Sequence, residues 1–261
     1  DIYIYKIGFM SKKKKVTKIQ YEMIEPFGPS IMRGIMPDVV FEEFESCINE
    51  VLEEKQQNHG EGLAGRIDDE WSIDEGYFKF SILGTFLDNI VSKYASNMCV
   101  RAAKHGFASN IQTDGEGEKI LKTGINATRV SSWVNSMSSG EYNPIHYHPG
   151  CNVTTVFFFD SVDEEFIDEI IAPTQTDSFA YGKGMWDKGT TDDGVLNIFY
   201  NSNHYYEHGQ WSFRPKRGDF LIFPAWLSHG VYPFISKKRR RTASINYIVE
   251  SNDLHISFGA R

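Results

Sequence analysis

Gly140-Glu-Tyr-Asn-Pro-Ile-His-Tyr-His-Pro-Gly150 and Gly218-Asp-Phe-Leu-Ile-Phe-Pro-Ala-Trp-Leu-Ser-His229 are the two stretches on which the reading of this chain turns. Residues i and i+2 of a strand project from the same face, so His146 and His148, read on one short strand, can present two imidazoles to one metal ion. The second stretch reads as a buried strand that stops at Pro224, bends, and ends in His229. A third ligand delivered from a neighbouring strand is the natural reading. Imidazole is a common metal ligand near neutral pH because its unprotonated nitrogen is available there. A lone histidine is ordinarily a satisfied core or surface residue. The same-face pair, with a third histidine ending a strand of opposite character, favours the metal site over three unrelated polar histidines.

In Arg240-Arg-Thr-Ala-Ser-Ile-Asn246, alternation aims Arg240, Thr242, Ser244 and Asn246 at one face and Arg241, Ala243 and Ile245 at the other. A guanidinium and a hydroxyl pointing into an apolar β-pocket make a carboxylate receptor, because the planar fork matches two oxygens and keeps its charge. The competing reading, a solvated basic turn, is preferred for Arg239 and Arg241. His204 and His208 are four apart and would share a helix face, but the residues around them suit a strand or loop, so they are read as solvated or substrate-facing. His59, His105 and His255 carry no supporting pattern.

With 261 residues the chain is long enough for one large β-rich domain, and aromatics at 14% suit sheets packed face to face. A formal charge of −8 disfavours nucleic acid as a partner, since that needs a positive field; the basic runs Lys12–Lys15 and Lys237–Arg241 are local exceptions. Cys47, Cys99 and Cys151 are an odd count without paired spacing, which indicates neither a disulfide framework nor structural zinc and fits a reducing cytoplasm. Asp1–Phe9 is too short to span a membrane, and no membrane partner is expected. Met10-Ser-Lys-Lys-Lys-Lys has the look of a cytosolic start, so residues 1–9 are read as upstream sequence. Asn126-Ala-Thr and Asn152-Val-Thr are taken as chance matches to the glycosylation pattern.

Helical spacing predicts an amphipathic helix from Asp38, as N-cap, to about Gln57, and a second from about Phe80 to Arg101, both buttressing a sheet. Gln112–Gly117 reads as a loop. Short β-type runs follow at 127–137, 154–159, 197–200, 210–214, 219–224 and 242–250, without alternating helices, which points to an antiparallel sandwich or jelly roll. A long insertion separates Asp160 from Gly194, acidic first and glycine-rich at Tyr181–Gly189. A single domain is expected over 1–261, with 1–125 as largely helical support and 126–250 as the core.

Together these stretches resemble the iron(II)- and 2-oxoglutarate-dependent oxygenase superfamily, and within it a small family often carried by marine bacteria and phages. The resemblance rests on Trp133 through Gly150, on Lys216 through Pro233 and on Arg240 through Asn246; Leu63-Ala-Gly-Arg-Ile-Asp-Asp-Glu-Trp-Ser-Ile73 also resembles the segment those proteins place before their second helix. It implies a mainly β fold, a double-stranded β-helix (a cupin-like jelly roll) with helices at its N-terminal side and iron(II) at one open end. It also implies 2-oxoglutarate and dioxygen as cosubstrates, oxidative decarboxylation to succinate, hydroxylation of a substrate C–H bond, and a location in the host cytoplasm if the chain is viral. On this resemblance His146 and His229 are metal ligands, and Arg240, helped by Thr242, clamps the far carboxylate of 2-oxoglutarate. Tyr142, Asn143 and Asn135 are candidate contacts of the cosubstrate, each equally readable as strand or turn structure.

The chain departs from that superfamily where most members carry an aspartate or glutamate, two residues after the first ligand histidine. Here that residue is His148. Either His148 is a true third ligand, which leaves the site one charge more positive, or it stands beside the metal while water or a distant carboxylate (Glu141, Asp160 or Glu207) completes the shell. We take His148 as the ligand. Two other readings keep the fold: a three-histidine cupin-type enzyme that does not use 2-oxoglutarate, and a non-catalytic metal-binding β-sandwich module.

Overall fold

The structure is a computed structural model, and it describes residues 20–24, 29–60, 65–104, 111–113, 119–121, 125–161, 194–200, 209–234 and 236–251. In chain order the described elements are β1 (Gln20–Ile24), β2 (Ile31–Ile35), α1 (Asp38–Glu54), β3 (Asp69–Ser72), a 3-10 turn (Glu75–Tyr77), α2 (Ile82–Lys104), β4 (Ile111–Thr113), β5 (Lys119–Leu121), β6 (Ile125–Met137), β7 (Asn143–His146), β8 (Val153–Phe158), β9 (Leu196–Phe199), β10 (Gln210–Phe213), β11 (Asp219–Pro224), β12 (Ser228–Val231) and β13 (Arg240–Ser251). They form a seven-stranded sheet ordered β1-β2-β11-β8-β13-β6-β3, a four-stranded sheet ordered β10-β9-β12-β7, and a separate β4–β5 pair. From β6 to β13 the chain passes between the two larger sheets at every step except the β9–β10 pairing. All the paired neighbours are antiparallel. That winding is the jelly roll the sequence pattern predicts.

Burial explains the sequence of each layer. The larger sheet is covered on one face by the helices and on the other by the smaller sheet, so its central strands are apolar on both sides. In β11, Phe220 and Ile222 join the cluster of the helices, while Leu221 and Phe223 join the cluster between the sheets. β13 keeps the first half of this rule and breaks the second. Ala243, Ile245, Tyr247 and Val249 pack toward the helices, but Arg240, Thr242, Ser244 and Asn246 are buried polar groups on the other face. A polar row inside a covered sheet costs stability unless something satisfies it, and it marks where the site lies.

Helix α1 buries Val40, Phe41, Phe44, Cys47, Ile48 and Val51 along one stripe. Its N-cap is Pro37 and not Asp38, which is the first helical residue and places its charge against the positive helix end. The helix stops at Lys55, in the left-handed region with φ 50, whose N–H returns to the Val51 carbonyl. Phe44 meets Phe157 and Phe159 edge-on, with ring centroids 5.3 and 5.2 Å apart. Strands β1 and β2 extend the larger sheet beyond β11, where Gly34 admits the Phe220 ring; a Cβ there would lie 2.5 Å from it.

Several expectations shift. Gln112 and Thr113 belong to β4, paired with β5, and not to a loop; short polar strands have little hydrophobic alternation to betray them. Arg241 is not a solvated turn residue, because it pairs with Asp160 at 2.9 Å and Glu45 at 3.0 Å and ties β13 to α1. Arg239 pairs with Asp69. Asn152 is buried, its amide donating to the Val249 carbonyl, so it is no glycosylation acceptor in this fold. Cys47, Cys99 and Cys151 are buried and none is in a disulfide. Among the described residues no helix is long and apolar enough to cross a membrane. The residue runs 1–19, 105–110, 162–193, 201–208 and 252–261 lie outside the described residues, and with them the sequence readings for Lys12–Lys15, for Tyr181–Gly189, for His204, Glu207 and His208, and for His105 and His255.

Phe44→Ala is expected to destabilise the fold by about 3–5 kcal/mol, because it empties a fully buried ring position packed against Phe157 and Phe159. Urea unfolding followed by circular dichroism measures it, and a loss below ~1 kcal/mol would refute the interlock of helix and sheet.

Candidate metal centre

His146 ends β7 and His229 lies on β12, directly opposite it in the strand register. His148 lies just past the end of β7, outside the strand that the sequence reading gave it. Its backbone N–H donates to the Ala225 carbonyl at 2.9 Å, in the turn that joins β11 to β12, and this brings its ring back to the other two. The ligand nitrogens of the three residues all lie within 4.8 Å of one another. His148 Nε2 stands 3.3 Å from His146 Nε2 and 3.1 Å from His229 Nε2.

The opposite ring nitrogens decide the tautomers. His146 Nδ1 is 2.7 Å from the Pro144 carbonyl, His229 Nδ1 is 2.9 Å from the Leu227 carbonyl, and His148 Nδ1 is 2.8 Å from Asn246 Oδ1. Asn246 is oriented in turn, since Thr154 Oγ1 donates to Oδ1 at 2.8 Å and Nδ2 donates to Ser131 Oγ. Each Nδ1 faces an acceptor and must carry the hydrogen, so each Nε2 presents a lone pair. Burial holds all three rings below the ordinary imidazole range: His146 is lowered, His148 falls to about 4 with the neighbouring His146 adding to the effect, and His229 lies well below. Three neutral rings thus aim three lone pairs at one point. Without a cation that arrangement is repulsive, and with one it is a ligand set.

No carboxylate joins the group among the described residues. Glu141 Oε1 accepts from the Asp68 N–H and Oε2 from the Ser138 N–H, while Asp160 is occupied by Arg241. Trp133 stacks on His148 at 5.4 Å and on His59 at 4.5 Å, and Phe223 meets His229 edge-on at 5.0 Å. These rings limit the water that reaches the nitrogens.

The three histidines open onto a cavity between the sheets whose wall includes Arg240, Thr242, Ser244, Asn135 and Asn143. Arg240 is 2% exposed, its Nε has no hydrogen-bond partner, and Nη1 reaches only the Met137 sulfur at 3.6 Å. Burial lowers its pKa to about 10, and Asp160 opposes part of that shift. A buried cation with no carboxylate in contact among the described residues is costly, and an acid entering the cavity would relieve it.

Tyr142 is the one candidate not brought to the cavity. A bulge in the β7–β12 pairing sets three steps on β7, from His146 to Asn143, against two on β12, from His229 to Val231. The extra residue reverses the alternation, so Asn143 faces inward with Val231. Tyr142 is 38% exposed and lines a groove beside Ile145 and Tyr232. His59, which had no supporting pattern, is found stacked at the edge of the site.

A jelly roll with three facing imidazoles and a buried guanidinium defines the class. Residues 131–246 match the family model described as "Putative 2OG-Fe(II) oxygenase", and this stretch carries all three histidines and Arg240. The family's cofactor is iron(II), with 2-oxoglutarate and dioxygen as cosubstrates. No curated protein matches the chain in sequence. Among solved structures, the chain is similar to a prolyl hydroxylase from Trichoplax adhaerens in complex with a hypoxia inducible factor peptide fragment (15% identity, 87% of this chain and 83% of that one, TM-score 0.46). It is also similar to a prolyl-4-hydroxylase from Pseudomonas putida (9% identity, 87% and 92%, TM-score 0.46) and to HygX from Streptomyces hygroscopicus with nickel and 2-oxoglutarate bound (9% identity, 85% and 82%, TM-score 0.42).

Asn246→Ala removes the acceptor that fixes the His148 ring, so zinc(II) affinity is expected to fall about 10–100-fold. Competition against a chromophoric chelator reads this directly, and unchanged affinity would show that Asn246 does not orient the ligand set.

Proposed function

We propose that the chain is an iron(II)- and 2-oxoglutarate-dependent dioxygenase that hydroxylates a C–H bond of its substrate, with His146, His148 and His229 as the three metal ligands. One observation carries the reading: the convergent lone pairs share a cavity with the buried guanidinium of Arg240, which among the described residues has no carboxylate against it. A metal ion and an organic acid are the two ligands that would remove both imbalances together. When bound, iron(II) with 2-oxoglutarate and dioxygen supplies the oxidising chemistry.

The protein's part is binding, orientation and exclusion of water. Arg240 grips the far carboxylate of the acid through its planar fork, with the Thr242 hydroxyl beside it and the amides of Asn135 and Asn143 further along the wall. Val156, Leu196, Phe223 and Val231 complete an apolar enclosure in which those polar contacts gain strength. Pro144, Leu227 and Asn246 keep the Nδ1 protons in place, so that the Nε2 lone pairs are available without any proton leaving the protein near neutral pH. Three neutral imidazoles leave the site more positive than two with a carboxylate, and that favours an anionic cosubstrate. Buried thiols and a negative formal charge suit a reducing cytoplasm and a partner other than nucleic acid.

Incubation of iron(II)-loaded protein with 2-oxoglutarate, ascorbate and oxygen is expected to yield succinate. Protein that holds iron but neither binds nor consumes 2-oxoglutarate would overturn the assignment in favour of a three-histidine enzyme or a binding module. Arg240→Ala should raise the 2-oxoglutarate concentration needed by about a hundredfold, the equivalent of ~3 kcal/mol for losing one side of a buried charge pair, with metal affinity retained. Saturation curves for succinate formation check this.

A further inference from the structure

Glu70 sits on β3, at the edge of the larger sheet, directly opposite Asn135 of β6 in the register. Opposed residues in antiparallel strands place their side chains on one face, with Cβ atoms about 5 Å apart, and the face of Asn135 is the cavity wall. Both residues are buried, Glu70 at 4% and Asn135 at 6% exposure. Glu70 Oε1 and Asn135 Oδ1 are buried oxygens with no hydrogen-bond partner. Two buried acceptors on opposed residues of one face, neither with a donor, are unfavourable, and one proton shared by the pair would satisfy both.

Among the described residues no cation is placed to serve instead. On β3 itself, Asp69 points to the opposite face, where Lys55 and Arg239 engage it. In the preceding segment Arg66 and Asp68 are exposed. On the covering loop, the backbone N–H of His59 donates to the Glu70 carbonyl, its ring lies on Trp133, and burial lowers its pKa, so it is neutral. Gly60 closes over the carboxyl so tightly that a Cβ would fall 2.8 Å from Oε2. From the β6–β7 turn, Glu141 is held by two backbone N–H groups, and Arg240 lies on β13, beyond β6.

We propose that Glu70 is a positioning residue that works as a neutral carboxylic acid, donating its proton to Asn135 Oδ1 and so turning the Asn135 Nδ2 donor into the cavity, toward the acid that Arg240 holds. The inference rests on the 2-oxoglutarate reading above. An ionised Glu70 would draw the Asn135 amide round, with Nδ2 toward the carboxylate and Oδ1 toward the cavity, and would present an acceptor to an acid. Burial pushes the Glu70 carboxyl up to about 7, so the two states exchange near neutrality. The donor-presenting state prevails below that value and is lost as pH rises through it.

The test is calorimetric titration of 2-oxoglutarate into protein loaded with manganese(II) without oxygen, at pH 6 and pH 8. Between these values the protonated fraction falls from about nine-tenths to about one-tenth, so wild-type affinity should weaken about tenfold. Glu70→Gln keeps a donor toward Asn135 Oδ1 at both pH values and should bind at the wild-type pH 6 level throughout. The same pH slope in Glu70→Gln, or none in the wild type, overturns the proposal.

A second measurement uses metal-free protein and no ligand. A carboxyl raised in the folded state loses stabilisation as pH climbs from its ordinary range through about 7, so the Tm of Glu70→Gln should exceed that of the wild type by more at pH 8 than at pH 5. An equal gap at both pH values overturns the buried proton itself. Absence of 2-oxoglutarate binding at either pH, with the widening gap present, overturns the cosubstrate reading and the cavity role of Glu70 together, and so separates the two failures.

Discussion

Everything in the site depends on which nitrogen of each imidazole carries hydrogen. Two backbone carbonyls and one carboxamide engage the three Nδ1 atoms, and this turns three Nε2 lone pairs toward one another, with His148 Nε2 3.3 and 3.1 Å from the other two. The acceptors come from three places that are far apart in sequence: β7, the β11–β12 turn and β13. The convergence is therefore a property of the assembled jelly roll and not of any one segment. Burial adds the second half of the constraint by keeping the rings neutral, so that they neither repel as cations nor abandon their lone pairs to protons.

The polar row of β13 shows how the same fold holds a buried guanidinium. A strand covered on both faces would ordinarily be apolar along its length, as β11 is from Phe220 to Pro224. β13 gives one face to the helices and uses the other for Arg240, Thr242, Ser244 and Asn246, so that it serves the guanidinium end and the histidine end of one cavity. The neighbouring cation Arg241 shows the contrast. It faces the helix side and is neutralised by Asp160 and Glu45, while Arg240 faces inward and is left with a sulfur and the face of Phe158.

Much of this was legible in the residues because it follows from period-two alternation. The six short strand runs, the two helices, the inward set on β13 and the grouping of His146, His148 and His229 can all be read without coordinates. Features that alternation does not govern were not legible. His148 leaves the strand before its side chain turns inward, and a bulge reverses the facing of Tyr142; neither has a sequence mark beyond Pro144 and Pro149. Strands β1 to β3 are short and half-polar, so their pairing with β2, β11 and β6 is a tertiary fact. Arg241 could not be told from Arg239 because its partners lie on α1 and beyond β8. The place of His59 and Glu70 depends on a loop folded over Trp133, and no local pattern announces that contact.

The long pairing of β13 with β6 and β8 also ties the cavity to the hydrophobic layer behind it. Alternate residues of one rigid ribbon serve each side, so Ile245 and Tyr247, buried against the helices, set the pitch at which Arg240 and Asn246 are presented. An inactive variant at either position would say nothing about chemistry at that residue. In this chain, a screen for loss of activity would map the back of the wall as faithfully as the front, and only substitutions that spare the ribbon's geometry can tell mechanism from scaffolding.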